Sequence, residues 1–145
     1  MAAPILLITS AGAAFGGVLG KSSITAFLSD NLSTLGLGIA VPFVISAALK
    51  TAQGSSTVAL VTTSAMLLPL LEPLGLAAGA GPVLAVLAIG AGAMVVSHAN
   101  DSYFWVVSQF SRIPTATAYR TLTPATAVQG GAAFAAVWVL SLFLI

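Results

Sequence analysis

Apolar residues fill this chain in long blocks separated by short polar islands. Charge-free runs cover residues 1–20, ahead of Lys21, residues 73–100, between Glu72 and Asp101, and residues 121–145, after Arg120. A helix needs about 20 apolar residues to cross a hydrocarbon core about 30 Å thick, so each run is long enough to span. Within the first, Pro4 to Leu19, the residues Gly12 and Gly16, followed by Gly20, recur every fourth position. Such a stripe lets a second helix approach closely, although a Gly/Ala-rich helix without a dedicated partner has the same pattern. No positive segment precedes the run, so a cleaved signal peptide is not expected. Residues 22–34, which include Asp30, are more polar and predict a short interfacial or re-entrant piece.

The middle of the chain breaks differently. The apolar segments 35–50 and 57–71 are separated by TAQGSS. At 1.5 Å per residue each is only about 22 Å long, too short for a full span. Two short halves around a polar, Gly-containing break predict a discontinuous helix or a helical hairpin. Residues 76–97 predict a full span running into SHANDSYFW, and the apolar residues 104–110 are too few to cross. Residues 111–123, with Arg112, Pro114, Arg120 and several Thr, are the most loop-like. The last span is predicted at 124–145, with Pro124 suited to its first turn. The two arginines of that loop favour the cytoplasmic side.

Composition narrows the class. The chain has 145 residues, 59% hydrophobic and 5% charged, where a soluble domain carries about 25% charged residues. An ordinary soluble globule is excluded, and so is a disordered tail. A net charge of +1 and four cations build no basic patch, so nucleic acid is not a partner. The absence of Cys removes disulfides, thiolate metal sites and Cys nucleophiles. The reading is an all-α integral membrane protein with the bilayer as a partner. It is a single membrane-embedded segment over 1–145, without a soluble domain, of about four to six transmembrane or re-entrant helical segments.

Polar residues at membrane depth are costly and therefore candidate functional groups. Two clusters qualify. In the first, Lys50 precedes Gln53, Gly54, Ser55, Ser56 and Thr57. Its hydroxyls can satisfy backbone freed by a break. Ser55, Ser56 and Thr57 suit the opening turn of the second half-helix, whose free N–H groups attract an anion. Lys50 adds a full charge opposite a ligand carboxylate. The competing reading is a water-exposed turn with Lys50 snorkelling to the interface. The second cluster is His98, Asn100, Asp101 and Ser102. On a helix His98 and Asp101, at i and i+3, share a face. Asp101 is the candidate proton carrier, because a carboxylate in a dry site holds its proton to higher pH. His98 is a candidate relay. The competing reading is a cap, with Asn100 or Asp101 starting a helix at Ser102. One His without thiolates makes a metal site improbable by chemistry. Ser97, His98 and Asp101 lie too close in sequence for a hydrolytic triad, and no enzyme is expected. Glu72 and Asp30 fit interfacial anchors, Phe104 packing, and Trp105 an aromatic belt.

The segments AQGSSTVALVTTSAMLLPLL at 52–71 and AIGAGAMVVSHANDSYFWVV at 88–107 resemble the gluconate permease (GntP) family of proton symporters, in its C-terminal third. That family is similar to other carriers of the ion transporter superfamily, which bind substrate between inverted repeats at hairpin tips and broken helices. The resemblance implies a partial inverted-repeat unit in a bacterial inner-membrane carrier of gluconate or a related carboxylate. It implies that Gln53 to Thr57 and His98 to Ser102 face a shared midplane site, with a coupling proton and no cofactor. Lys50, Gln53, Gly54, Ser55, Ser56, Thr57, Asn100 and Ser102 are then the substrate-contact candidates, with His98 and Asp101 for proton coupling. Two departures stand out. Lys50 replaces the family's usual Arg and loses the bidentate fork, and Tyr103 replaces the usual Gly and narrows the site. Family members are about three times longer, so the expectation is a fragment, or a subunit needing an N-terminal repeat or self-association. The rival reading is a small structural or assembly membrane protein, or an inactive fragment, without transport of its own.

Overall fold

The computed structural model describes Gly38–Ile145, together with three helical positions before them, Ser10, Ala14 and Val18. Apart from those three positions the first predicted span, with its glycine stripe, and the interfacial piece around Asp30 lie outside the described residues. Among the described residues the fold is entirely helical. Its elements are α1 (Ala40–Gln53), α2 (Ser56–Leu67) extended by the 3-10 turn Leu68–Leu70, α3 (Gly81–Gly92), α4 (Ser102–Phe110) and α5 (Thr115–Leu144).

The predicted break between the two short apolar halves is present but tighter than TAQGSS. Helix α1 runs on through Gln53 and stops at Gly54, whose φ of 84° is left-handed. Glycine adopts that conformation without a Cβ penalty. Ser55 then caps α2, its hydroxyl accepting from Val58 N at 3.3 Å. Ser55→Ala is expected to lower stability by about 1 kcal/mol, read as a lower unfolding midpoint in detergent.

The full span predicted at 76–97 is not one helix. Residues 71–80 are turns, α3 covers only Gly81–Gly92, and 93–101 is non-helical. The apolar run carried no visible stop signal, because the partners of the broken backbone lie elsewhere in the chain. On α5, Thr126 Oγ1 accepts from Ser97 N at 2.9 Å and Thr123 Oγ1 donates to Ser97 O at 2.7 Å. These hydroxyls replace the lost helical bonds of Ser97, as irregular backbone buried away from water requires. Gly130 makes room for the segment, since a Cβ there would strike Val95 and the Ala91 carbonyl. Val96 sits at φ 51°, a strained conformation for a β-branched residue.

The predicted loop 111–123 and the first-turn role of Pro124 are also corrected. Pro114 precedes a helix that begins at Thr115, so Arg120 is helical and Pro124 lies inside α5. The proline removes one N–H from the ladder. Thr side chains, which read as loop chemistry, are accommodated by bonding back along the helix, as Thr121 Oγ1 does to Thr117 O. With 30 residues, α5 is about 45 Å long. It is the described helix long and apolar enough to cross a membrane, and its Val128 and Phe143 are 72% and 80% exposed.

Helix α3 is the buried centre and lies against both α1 and α5. Its Leu84, Ala85, Ala88 and Ile89 pack with Ile39, Val41, Leu67, Leu74 and Val137. Gly92 admits α1, since a Cβ there would meet the Phe43 carbonyl and Ser46. Ser46 Oγ donates to Ile89 O at 2.8 Å across this contact. Phe43 and Phe134 stack at 4.2 Å between α1 and α5. This packing holds the α1–α2 break beside the α3–α4 break.

Candidate functional site

Where the two breaks meet, Lys50 and Asp101 form a buried ion pair. Lys50 lies in the last turn of α1 and is 1% exposed. Its Nζ donates to Asp101 Oδ2 and to Gly54 O, each at 2.5 Å. A cation is favourable beside the carbonyls that end a helix. Its burial excludes the reading of Lys50 as an interfacial, snorkelling side chain. The charge it faces inside this chain is Asp101, at a separation in sequence that no local pattern reveals.

Asp101 carries two roles. Its Oδ1 accepts from Tyr103 N at 3.0 Å and so caps α4. Its Oδ2 accepts from Lys50 and from Ser97 Oγ, the latter at 2.5 Å. Cap and buried ion pair therefore share one carboxylate. The expected common helical face for His98 and Asp101 does not exist. They stand at either end of a turn closed by Asp101 N donating to His98 O at 2.8 Å, because helix α4 starts only after its cap. Asp101 turns inward, while the His98 ring lies 3.1 Å from Thr51 O.

Asn100 joins the breaks from the other side. Its Nδ2 donates to Thr51 O at 2.9 Å and Ala52 O at 3.3 Å, satisfying carbonyls at the end of α1 that have no helical partner. Gly54 passes directly beneath it, in contact with the Asn100 backbone and side chain.

A cavity of about 200 Å³ opens beside the ion pair. Lys50, Ser56, Ser97, Asp101, Tyr103, Thr126 and Gln129 line it, with Met94. It is smaller than the roughly 300–1,000 Å³ of drug-sized pockets. Ser56 and Tyr103 stand in the first turns of α2 and α4, so both helices direct their positive ends toward the same region. Of the residues singled out in the sequence, Lys50, Ser56 and Asp101 line the cavity, and Gly54, Ser55 and Asn100 build the crossing beside it. Gln53, Thr57 and Ser102 are exposed. Tyr103 borders the cavity. Sequence reading missed Thr126 and Gln129, which sit in an apolar helix without a motif, and passed over Ser97 as a site residue. A hydroxyl next to the His-Ala-Asn-Asp cluster was the available signal. Phe104 is fully buried, and Trp105 is 39% exposed with Nε1 donating to Ala99 O at 2.7 Å.

Among the described residues no group of His, Asp and Glu is arranged to hold a metal.

No solved structure matches the chain. An inner membrane permease of Escherichia coli, YgbN, is 36% identical over 94% of this chain and 30% of its own length. The low-affinity gluconate transporter of Escherichia coli is 38% identical over 82% of this chain and 27% of its own. The Gnt-II system L-idonate transporter of that organism is 34% identical over 83% and 27%. The chain thus spans under a third of the length of these relatives. The sequence model of the GntP family permeases matches residues 1–143, and the chain belongs to that family.

Proposed function

We propose that the crossing around Lys50 and Asp101 is part of the substrate site of a proton-coupled carrier for a sugar-acid carboxylate, in the bacterial inner membrane. The observation that carries this reading is a buried cation–carboxylate pair at the junction of two broken helices, beside a small cavity lined mostly by polar residues. Gluconate and L-idonate, named for relatives of this chain, each offer one carboxylate and a row of hydroxyls. Lys50 and the N-termini of α2 and α4 suit the carboxylate. Ser56, Thr126 and Gln129 suit the hydroxyls, through donors and acceptors that an apolar cavity lacks. Asp101 is the group assigned to the coupling proton, and His98 stands beside it at the surface of the crossing. A carrier works by rocking one repeat against another around such a site, so this chain supplies one wall and a second repeat or second copy the other.

The chain has no Cys, so Ser56→Cys introduces a single thiol into the cavity wall. In proteoliposomes it is expected to react with a polar thiol reagent, and gluconate is expected to slow that reaction at least several-fold. Labelling that gluconate leaves unchanged would reject the cavity as the substrate site.

A further inference from the structure

Ser97 is gripped from both sides by α5. Its N–H donates to Thr126 Oγ1 at 2.9 Å, and its carbonyl accepts from Thr123 Oγ1 at 2.7 Å. Thr126 Oγ1 gives its own proton to Thr123 O at 2.9 Å, so the single hydroxyl proton is committed and the lone pairs face Ser97. Threonines at i and i+3 lie on one helix face. Gly130, one turn further on, lies against Val95 and the Ala91 carbonyl. Gly130, Thr126 and Thr123 therefore follow the chain from Ala91 to Ser97 in order.

The gripped segment has a different local preference. Ala93, Met94 and Val95 continue the apolar run of α3. Their backbone still turns with the helix, since Met94 N donates to Ala91 O at 3.3 Å and Val95 N to Gly92 O at 3.1 Å. These are the tighter bonds of a 3-10 tail. The departure is completed at Val96, where a φ of 51° puts a β-branched residue in the left-handed region. Such a conformation persists only where the surroundings impose it, and the two threonines act on the next residue.

Ser97 also reaches the ion pair. Its Oγ donates to Asp101 Oδ2 at 2.5 Å, the oxygen that accepts from Lys50. Thr123 and Thr126 are themselves hydrogen-bonded to neither charge. We infer that Thr123 and Thr126 are positioning residues: by holding the Ser97 peptide off the end of α3 they set Asp101 against Lys50. Without the grip, residues 93–97 wind onto α3 and Asp101 is drawn away from Lys50. The pair is then assembled only while α5 stays close to α3, and a shift of α5 dismantles it with no change in charge. This assembly does not depend on the ligand, so its failure leaves the substrate reading untouched.

The test reads Lys50 directly, in the full chain in detergent. An ammonium has no lone pair with which to attack an acylating reagent, and Lys50 is 1% exposed. Acetic anhydride is therefore expected to modify Lys50 slowly, as followed by mass spectrometry. Asp101→Asn sets the rate for a broken pair. Thr126→Val exchanges the hydroxyl for a methyl and is expected to raise the Lys50 rate several-fold, toward that level. Thr126→Ser is expected to keep the rate of the unaltered chain. Thr121→Val removes a hydroxyl bonded to Thr117 O within α5 and is expected to change nothing. Adding Val96→Gly to Thr126→Val is expected to bring the rate back down, because glycine takes the left-handed conformation without strain and disfavours the helical alternative. An unchanged rate in Thr126→Val, an equal rise in Thr121→Val, or a double variant as reactive as Thr126→Val would overturn the inference. Should Thr126→Val fail to fold, Val96→Gly against Val96→Ala decides. Both lose the side chain beyond Cβ, and the glycine variant is expected to unfold at the higher temperature, inverting the order of these residues in a helix. The ordinary order would show that no strained conformation is being held, and the inference would fall.

Discussion

Lys50→Met is expected to destabilise the protein by about 3–5 kcal/mol, the cost of leaving a buried carboxylate without its cation. Methionine fills much of the space of the lysine stem, so little of this loss comes from packing. It comes from Asp101, which retains Ser97 and the Tyr103 N–H but loses its counter-charge. Gly54 O loses a donor as well. Pairing the change with Asp101→Asn is expected to recover most of the stability. The amide oxygen can still cap α4, and no charge remains to be balanced. Unfolding midpoints of the two singles and the double in detergent form a mutant cycle. A double variant no more stable than Lys50→Met would show that the lysine acts through packing and not through charge.

Gly54→Ala is expected to cost about 2–5 kcal/mol, for two separate reasons. A left-handed φ of 84° penalises any Cβ by about 1–2 kcal/mol. That Cβ would also strike the carbonyl group of Asn100, which is backbone and cannot swing aside. Forcing atoms into a filled contact adds about 1–3 kcal/mol. The second contribution can be isolated, because Gly75 has a similar φ of 71° and open space where its Cβ would point. Gly75→Ala is expected to show the conformational cost alone. The difference between the two variants measures the contact between the breaks, and equal losses would mean that the crossing tolerates separation. Gly54→Ala is also expected to abolish gluconate protection at Ser56→Cys, since parting the breaks opens the cavity.

The membrane class was legible because charge is so scarce. Seven charged residues cannot wet a folded surface of this size, whatever the topology. The first break was legible too, since Gly54 and Ser55 are local signals for ending one helix and starting another. A cap at Asn100 or Asp101 was a competing reading of the residues there, and the structure places it at Asp101. The second break was not legible. Residues 93–96 are as apolar as the helix before them, and their departure from it depends on hydroxyls of Thr123 and Thr126 at a distance of nearly thirty positions. For the same reason Pro124 was misplaced at a helix start. The helix instead begins at Thr115, directly after Pro114, and runs through Pro124.

The candidate site divides in the same way. Sequence alone singled out Lys50, Ser56 and Asp101, because charge and hydroxyls in apolar surroundings demand a reason. It assigned Lys50 to a ligand carboxylate, and the fold also gives it a partner within the chain, Asp101, 51 positions away. The pairing, the cavity and the roles of Ser97, Thr126 and Gln129 arise from the approach of α1, α3 and α5, which glycines at 92 and 130 allow. What the sequence determined was therefore the solvent this chain folds in and where its first break falls, since both follow from local composition. What only the tertiary structure decided was which charges meet, because burial makes an ion pair from residues that no short-range pattern connects.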